Sequence, residues 1–143
     1  MNRRQRNGDN YGTQPDYVEK LVAALRHEEP ETTVRAAWVL GRIRDRRAVG
    51  PLIDAADRGG DPEFLAAVVE ALGNIGDAAA CEVVARLAGS SYLKVRLKAV
   101  EALAKWDNEL VRPTLQAGRH DPNALVREEA ARVARGLDAT RRR

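Results

Sequence analysis

A short segment that recurs at a nearly fixed spacing constrains the fold of this chain more than any other feature. The sequences VLGRIRD, ALGNIGD and ALAKWDN begin at residues 39, 71 and 102, which are 32 and 31 residues apart. A period in this range is typical of a solenoid, in which each repeat buries its apolar face only against its neighbours. The 143 residues leave room for about four units, more than the minimum of about three for a stable array.

Two α-helices are predicted for each unit. A second helix follows the first after a short turn, and the segment DYVEKLVAALR fits the second-helix frame one period before the first complete unit. The sequence therefore predicts about eight helices, with a lone second helix at the start and a lone first helix at the end. The first helices carry these apolar stripes at helical spacing: Ala36, Val39, Leu40 and Ile43; Val68, Ala71, Leu72 and Ile75; Ala99, Ala102, Leu103 and Trp106; Ala130, Val133, Ala134 and Leu137.

Several first helices are marked at their start by a capping residue. Asp61 precedes Pro62 and Asp121 precedes Pro122, which puts a side-chain acceptor before a proline at the first helical position. Ser91 fits the same capping role in the third unit.

The turns inside the repeats have polar residues in register. Asp45, Asp77 and Asn108 share one column and are predicted to close the turn through side-chain to backbone hydrogen bonds. Gly41 and Gly73 fall inside first helices, where glycine costs up to about 1 kcal/mol relative to alanine. We therefore expect a close approach of neighbouring helices at both glycines.

Three segments resemble the short bacterial HEAT-type repeats named after phycobilisome lyases: ALGNIGDAAACEVVARL, VRLKAVEALAKWDN and VREEAARVARGL. The resemblance implies an all-α solenoid, a right-handed superhelix of about four HEAT-like helix pairs. It also implies that the second helices line a concave face that serves as the usual binding groove. We predict a disordered basic N-terminal tail at 1–15, a HEAT-like domain at 16–138 and a basic C-terminal tail at 139–143.

The family pattern opens the first helix with a Val-Arg pair. Val95-Arg96 follows the pattern, with Leu103 eight residues after the valine, whereas Val126-Arg127 has the pair but meets Ala134. Phe64-Leu65 occupies the position in the second copy and Thr32-Thr33 in the first, where the pair is displaced to Val34-Arg35. The entry to the first unit is therefore expected to be built differently.

The net charge of +3 comes from the chain ends, because residues 16 to 140 hold 18 basic and 20 acidic side chains. Such a body is a poor platform for a phosphate backbone, so nucleic-acid contact is expected only through the basic tails. The single cysteine, Cys81, favours a reducing compartment. With no membrane-spanning run and no signal-peptide pattern, we expect a cytoplasmic protein without membrane association.

No catalytic motif is evident. His27 and His120 are each followed by an acid, as in the His-Glu pairs of HEAT-repeat iron hydroxylases, but they lie three units apart, and surface turns explain them better. Cys81 falls in an apolar column without a nearby histidine, which favours an inert thiol. We predict that the protein is not an enzyme and has no catalytic residues, metal site or cofactor.

Trp38 is the most unusual residue of the first unit. Its column holds Glu70, Glu101 and Arg132 in the other copies, so the indole is predicted to face solvent. Val34 and Arg42 lie four residues to either side of Trp38, so all three share one helix face with Arg42 able to lie over the ring. Exposed Trp and Arg are enriched at interface hot spots. Coverage of Trp38 by the N-terminal segment or a neighbouring first helix is the alternative.

The turn after this helix is basic in the first unit alone. Arg44, Arg46 and Arg47 replace Gly76, Ala78 and Ala79 of the next unit. We predict that this basic corner joins the Trp38 face as a partner-binding surface, with a simple solvated turn as the alternative. The second choice is the groove of the second helices, whose exposed residues are Glu19, Asp54, Glu82, Arg86, Arg112 and Gln116. Glu82 and Arg86 could instead pair along their own helix.

The most direct interpretation is a non-catalytic adaptor or assembly subunit, a monomer or small homo-oligomer, that binds another protein. An acidic patch on that partner would suit the basic corner. The resemblance implies one alternative, an accessory lyase or chaperone for a bilin chromophore on a phycobiliprotein. The basic tails suggest another, weak binding of nucleic acid.

Overall fold

The computed structural model describes residues 16–143, and this part of the chain is all-α with eight α-helices, as predicted. Three short 3-10 turns at Arg46–Ala48, Ala78–Ala80 and Leu103–Lys105 follow first helices. None of the helices in this part is long and apolar enough to cross a bilayer. The helices are α1 Tyr17–Ala24, α2 Pro30–Ile43, α3 Val49–Arg58, α4 Pro62–Ile75, α5 Cys81–Leu87, α6 Leu93–Ala102, α7 Val111–Gly118 and α8 Ala124–Arg141.

The helices stack as a solenoid of HEAT-like pairs. The first helices α2, α4, α6 and α8 pack against one another in sequence, and each of α3, α5 and α7 follows its first helix as the second member of a pair. Helix α8 continues to Arg141, three residues beyond the boundary predicted at residue 138. The predicted N-terminal tail lies outside the described residues, and the division into a domain and two tails stays a prediction.

The core is built from the predicted stripes, as expected for a solenoid. Leu40, Leu72 and Leu103 are fully buried at equivalent positions, and Trp106 is 7% exposed in the column that holds isoleucine elsewhere. Val39, Ile75 and Ala134 are partly buried, and Ile43 is the one stripe residue that is exposed, at 39%. It is the last residue of α2, and no first helix precedes α2 in the described part of the chain to cover it.

The first helices approach closely at the two glycines. A methyl group built on Gly41 would lie 2.7 Å from Cα of Ala71, and one built on Gly73 would lie 2.9 Å from Cβ of Ala102. Side chains at these positions would hold the helices apart, so glycine permits a spacing that offsets its cost in helix propensity. The predicted close approach is confirmed.

The three intra-repeat turns use the same hydrogen bond. Oδ1 of Asp45, Asp77 and Asn108 accepts the backbone N–H two residues later, at 2.9 Å in each case. The prediction for this column is therefore confirmed.

The helix starts are less uniform than predicted. Asp61 caps α4 as expected, accepting the amide of Phe64 at 2.9 Å. Asp121 is not a cap, because α8 begins three residues later and Asn123 is its N-cap. Ser91 is not a cap either, because α6 begins at Leu93 after Tyr92. In both loops the chain needs extra residues to turn before the helix begins.

The Val-Arg pairs close the loops that precede the last two first helices. Arg96 donates to the carbonyls of Ser90 and Ser91 at 3.2 and 3.3 Å. Arg127 donates in the same way to the carbonyls of Asp121 and Pro122, at 2.7 and 2.9 Å. The arginine therefore satisfies loop carbonyls that the helix itself cannot reach.

Asp121 also forms an ion pair with Arg96, with Nε to Oδ2 at 2.9 Å. The carboxylate is only 8% exposed. Burial acts to raise the pKa of Asp121, but the hydrogen bonds from Arg96 and from the Asn123 amide outweigh it, so the pKa lies below its ordinary value.

Candidate protein-binding groove

An open groove of about 910 Å³ crosses the solvent-facing side of the first helices α2, α4 and α6. Its lining residues are Pro30, Glu31, Val34, Arg35, Trp38, Asp61, Pro62, Glu63, Ala66, Ala67, Glu70, Lys94 and Lys98. Three other cavities in residues 16–143 have volumes of about 710, 160 and 90 Å³.

The groove exists because α4 carries small side chains where its neighbours carry large ones. The 32-residue offset places Ala66 and Ala67 opposite Val34 and Arg35 of α2, and Ala67 is also equivalent to Lys98 of α6. The two alanines therefore form a low floor between walls from α2 and α6.

Trp38 forms part of the α2 wall and is 52% exposed. The guanidinium carbon of Arg42 lies 5.3 Å from the centroid of the indole ring, which is cation–π distance. Val34 is half-buried at the base of the same wall. The predicted exposure of Trp38 and its contact with Arg42 are therefore observed, and the use of this face for binding stays a prediction.

Cross-helix ion pairs neutralise the acidic side of the groove. Lys94 of α6 pairs with Glu63 of α4. Lys98 of α6 lies 3.8 Å from both Glu70 of α4 and Glu101 of its own helix. These exposed pairs contribute little to stability, but they leave few uncompensated carboxylates on the α4–α6 side.

Arg47 of the predicted basic corner is committed to contacts within the chain. It pairs with Asp45 in its own turn and with Asp16, the N-cap of α1. Hydrogen bonds with Asp45 and then Asp16 raise the pKa of the Arg47 guanidinium, and the same contacts lower the pKa of both carboxyls. Arg47 therefore ties α1 to the first repeat.

Arg44 has an unfavourable backbone conformation for a residue with a side chain. Its φ is 60° in the left-handed region, and it is the only non-glycine residue with positive φ in the described part of the chain. Gly76 occupies the equivalent position after α4, with φ 72°. Glycine adopts this conformation freely, whereas a Cβ atom makes it costly.

Four arginines on and after α2 have no carboxylate partner within residues 16–143: Arg35, Arg42, Arg44 and Arg46. Arg35, Trp38 and Arg42 follow one another at spacings of three and four residues, which places them on one side of α2. Of these four, only Arg35 lines the groove, and Glu31 of α2 lines it as well without an ion-pair partner within residues 16–143.

The second-helix residues predicted as an alternative groove are partly used to join repeats. Arg86 does not pair with Glu82 along its own helix but with Asp57 of α3. Arg112 pairs with Asp107 and with Asp138 of α8, and its pKa is raised by these contacts, mainly that with Asp138.

The remaining residues of that set are Glu19, Asp54 and Gln116, all of which are exposed. Asp54 lines a small cleft of about 160 Å³ between α1 and α3. Successive second helices touch one another much less than successive first helices do. A second open cavity, of about 710 Å³, lies on the second-helix side between α5 and α7 and includes Arg86 in its lining. The groove on the first-helix side is only somewhat larger, at about 910 Å³.

His27, the acid beside His120, and Cys81 all make contacts within the chain. His27 accepts the amide of Glu29 at its Nδ1, at 3.1 Å, and Asp121 beside His120 is held by Arg96. Cys81 is buried next to Asn108, whose Nδ2 lies 3.3 Å from its sulfur. Among residues 16–143, no three His, Cys, Asp or Glu side chains form a group that could hold a metal ion.

Sequence reasoning missed Arg35, the alanine floor and the lysine wall of the groove. The repeat offsets contain the signal. Ala66 is equivalent to Val34 and Leu97, and Ala67 is equivalent to Arg35 and Lys98, so each alanine is the smallest residue of its column. Reading each outward-facing column for changes in side-chain size would have indicated the groove.

The family model for HEAT repeats matches residues 18–92, which is just over half of the chain. The chain therefore belongs to the HEAT-repeat family, and the family predicted from the sequence is confirmed.

Among solved structures, the chain is similar to one in the complex of CpcE and CpcF of phycocyanin lyase from Nostoc sp. PCC7120. The TM-score is 0.64 at 20% sequence identity, with 87% of this chain and 66% of that chain covered. The match thus spans slightly less than two thirds of the length of the solved chain. No curated protein is significantly similar in sequence.

This similarity corrects the prediction that the protein is not an enzyme. A chain with the same fold belongs to the complex of a phycocyanin lyase, so a HEAT solenoid without a recognisable catalytic motif gives no ground for excluding enzymatic activity.

Proposed function

We propose that the protein is a protein-binding HEAT-repeat subunit and that the groove across α2, α4 and α6 is its contact surface. The observation that carries this proposal is Trp38, which stands 52% exposed in the groove wall with Arg42 over its ring. Glu70 and Glu101 occupy the equivalent position in the next two repeats, so the core of a repeat does not require Trp38. Burial of such a residue by a partner would supply a hot spot.

A pull-down from the native source with Trp38→Glu beside the unmodified protein tests this proposal. The substitution copies the protein's own repeats, so the fold should survive, which circular dichroism would verify. Loss of specific partners is expected. Tyr17→Glu is a matched control because Tyr17 is also exposed, at 62%, but is not among the residues that line the groove. Retention of every partner by the folded Trp38 variant would refute the proposal.

A second candidate function is participation in a bilin-lyase-type complex that acts on a phycobiliprotein. The similarity to the phycocyanin lyase complex of CpcE and CpcF favours it. The groove also has features that suit a tetrapyrrole, because its volume of about 910 Å³ lies in the range of ligand sites, and its lining includes the aromatic Trp38 and the cation Arg35, which could meet a carboxylate.

Absorbance spectroscopy separates the two candidates. Mixing the protein with a free bilin, and then with bilin and a chromophore-free phycobiliprotein, should change the bilin spectrum if the second candidate is correct. Unchanged spectra in both mixtures would exclude it and leave the protein-binding function standing.

A further inference from the structure

We infer that the partner of this surface is a second copy of the chain, with the two α2 helices packed antiparallel and crossing at Trp38. The inference rests on the proposed function, because it uses the same exposed face of α2 and names the partner that covers it. It follows from two features of that face, an exposed tryptophan at its middle and unpaired charges of opposite sign on either side.

The exposed face of α2 is one stripe with Trp38 near its middle. Glu31, Arg35, Trp38 and Arg42 follow one another at spacings of four, three and four residues, which places them on one side of the helix. All four are exposed. A partner that covers the indole must therefore also meet the charges around it.

The charges at the two ends of this face have opposite signs. Glu31 lies seven residues before Trp38, whereas Arg44 and Arg46 lie six and eight residues after it. Since a helix rises about 1.5 Å per residue, the acid and the arginines lie at a similar distance from the tryptophan, roughly 10 Å along α2. None of these three charges has an ion-pair partner within residues 16–143.

This order of charges makes the face complementary to itself. In an antiparallel pair centred on Trp38, Glu31 of each copy would lie beside Arg44 and Arg46 of the other copy. The twofold axis repeats the contact, so two such charge contacts form. A parallel pair would bring like charges together, so the charges favour the antiparallel arrangement.

Glu28 and Glu29 extend the acidic end into the loop before α2, where both are exposed. The helix dipole also favours carboxylates near a helix N-terminus and arginines near its C-terminus, so either group alone would need no partner. The dipole does not account for the exposed tryptophan between them. An apolar centre flanked by opposite charges at equal distances is what an isologous contact requires.

The size of α2 makes the proposed dimer weak. Its 14 residues offer a strip roughly 20 Å long and about 10 Å wide. A stable interface buries about 800 Å² on each partner, several times the area of this strip. Contact between the two Trp38 rings supplies the apolar centre. The dimer should therefore form only at high protein concentration, and Trp38 should be exposed in the dilute protein.

Arg35 is the one charge of the stripe that this arrangement does not satisfy. It lies three residues before Trp38, so it would come close to Arg42 of the other copy, which lies four residues after the same point. These like charges oppose the dimer. Arg35→Ala should therefore strengthen the dimer, and a weaker dimer in this variant would contradict the antiparallel register.

Analytical ultracentrifugation of the full chain over a concentration series tests the inference, and it should show a monomer that converts to a dimer. Glu31→Arg and Arg46→Glu each place like charges at both contacts, so each should weaken the dimer by more than about tenfold. Mixing the two variants restores opposite charges at both contacts and should give a heterodimer about as tight as the unmodified dimer. A full chain that stays monomeric, or a mixture that associates no better than the separate variants, would overturn the inference.

Glu19→Arg is the matched control for the charge reversals. Glu19 is also an exposed acid in the first turn of a helix, but that helix is α1, outside the face that carries Trp38. Its reversal should leave the dimer unchanged. Circular dichroism verifies that every variant keeps its fold.

Two further results separate this inference from the function on which it rests. If the full chain stays monomeric while Trp38→Glu loses partners in the pull-down, the second copy is not the partner and the proposed function stands. If a dimer forms and persists in Trp38→Glu, the α2 contact is wrong, and the pull-down alone decides the proposed function.

Discussion

Gly41 of α2 lies directly against the backbone of Ala71 in α4, so that a methyl group on the glycine would come within 2.7 Å of the Ala71 Cα atom. The contact repeats one unit later, where Gly73 of α4 meets Ala102 of α6. These two contacts set the spacing of the first-helix layer, and the groove crosses that layer.

Gly41→Ala is expected to destabilise the protein by about 1–3 kcal/mol, because the added methyl group meets backbone that cannot rotate away. Gly136→Ala is the matched control, since Gly136 lies inside α8 with nothing within 4 Å of a built Cβ. Its substitution should stabilise the protein by up to about 1 kcal/mol through helix propensity. Urea unfolding measures both, and equal effects of the two substitutions would contradict the packing argument.

The two tryptophans should differ in fluorescence, because Trp38 is 52% exposed and Trp106 is 7% exposed. Trp38→Phe is expected to leave a blue-shifted emission that acrylamide quenches weakly. Trp106→Phe should leave a red-shifted emission that acrylamide quenches strongly. Weak quenching of Trp38 in the full chain would mean that another part of the protein covers it.

Asp121→Asn should destabilise the protein by about 2 kcal/mol at neutral pH, because it removes the charge that Arg96 faces in a largely buried pair. Asp57→Asn is the control, since its pair with Arg86 is exposed on both sides and should matter little. Chemical denaturation of the three proteins gives the comparison. An equal loss in both variants would show that burial of the Asp121 pair adds nothing.

The effect of Asp121→Asn should depend on pH in a defined direction. The pKa of Asp121 is lowered in the folded protein, so its contribution is present above the unfolded value of about 3.9 and is lost as pH falls through the folded pKa. The difference in unfolding free energy between the wild type and the variant should therefore shrink below about pH 4. A difference that stays constant from pH 7 to the acid limit would be inconsistent with the ion pair.

Removal of residues 139–143 should loosen the end of α8. Arg141 donates to Asp107 with Nε to Oδ2 at 2.7 Å, and this contact lowers the pKa of Asp107. Without the Arg141–Asp107 contact, we expect faster amide exchange in the turn of α8 that ends at residue 138. A chain that ends at residue 141 keeps this contact and should exchange like the full chain. Identical exchange in both truncations would support the boundary predicted at residue 138.

The periodicity of the sequence was enough to predict the solenoid, its eight helices and most of its core. Neighbouring units repeat the same local chemistry, so Asp45, Asp77 and Asn108 could be read as one turn, and Gly41 and Gly73 as one close contact. Trp38 could be recognised as exposed because its column holds charged residues in every other copy.

Contacts between repeats could not be predicted from the periodicity, because they depend on the distances between helices in space. Only the tertiary structure placed Arg47 on Asp16, Arg86 on Asp57 rather than Glu82, and Asp121 on Arg96 rather than at a helix start. The groove itself arises in the same way, since two alanines become a floor only when α2 and α6 stand on either side of them. Local periodicity sets each helix and its buried stripe, whereas ion pairs and surface shape follow from the distances between helices.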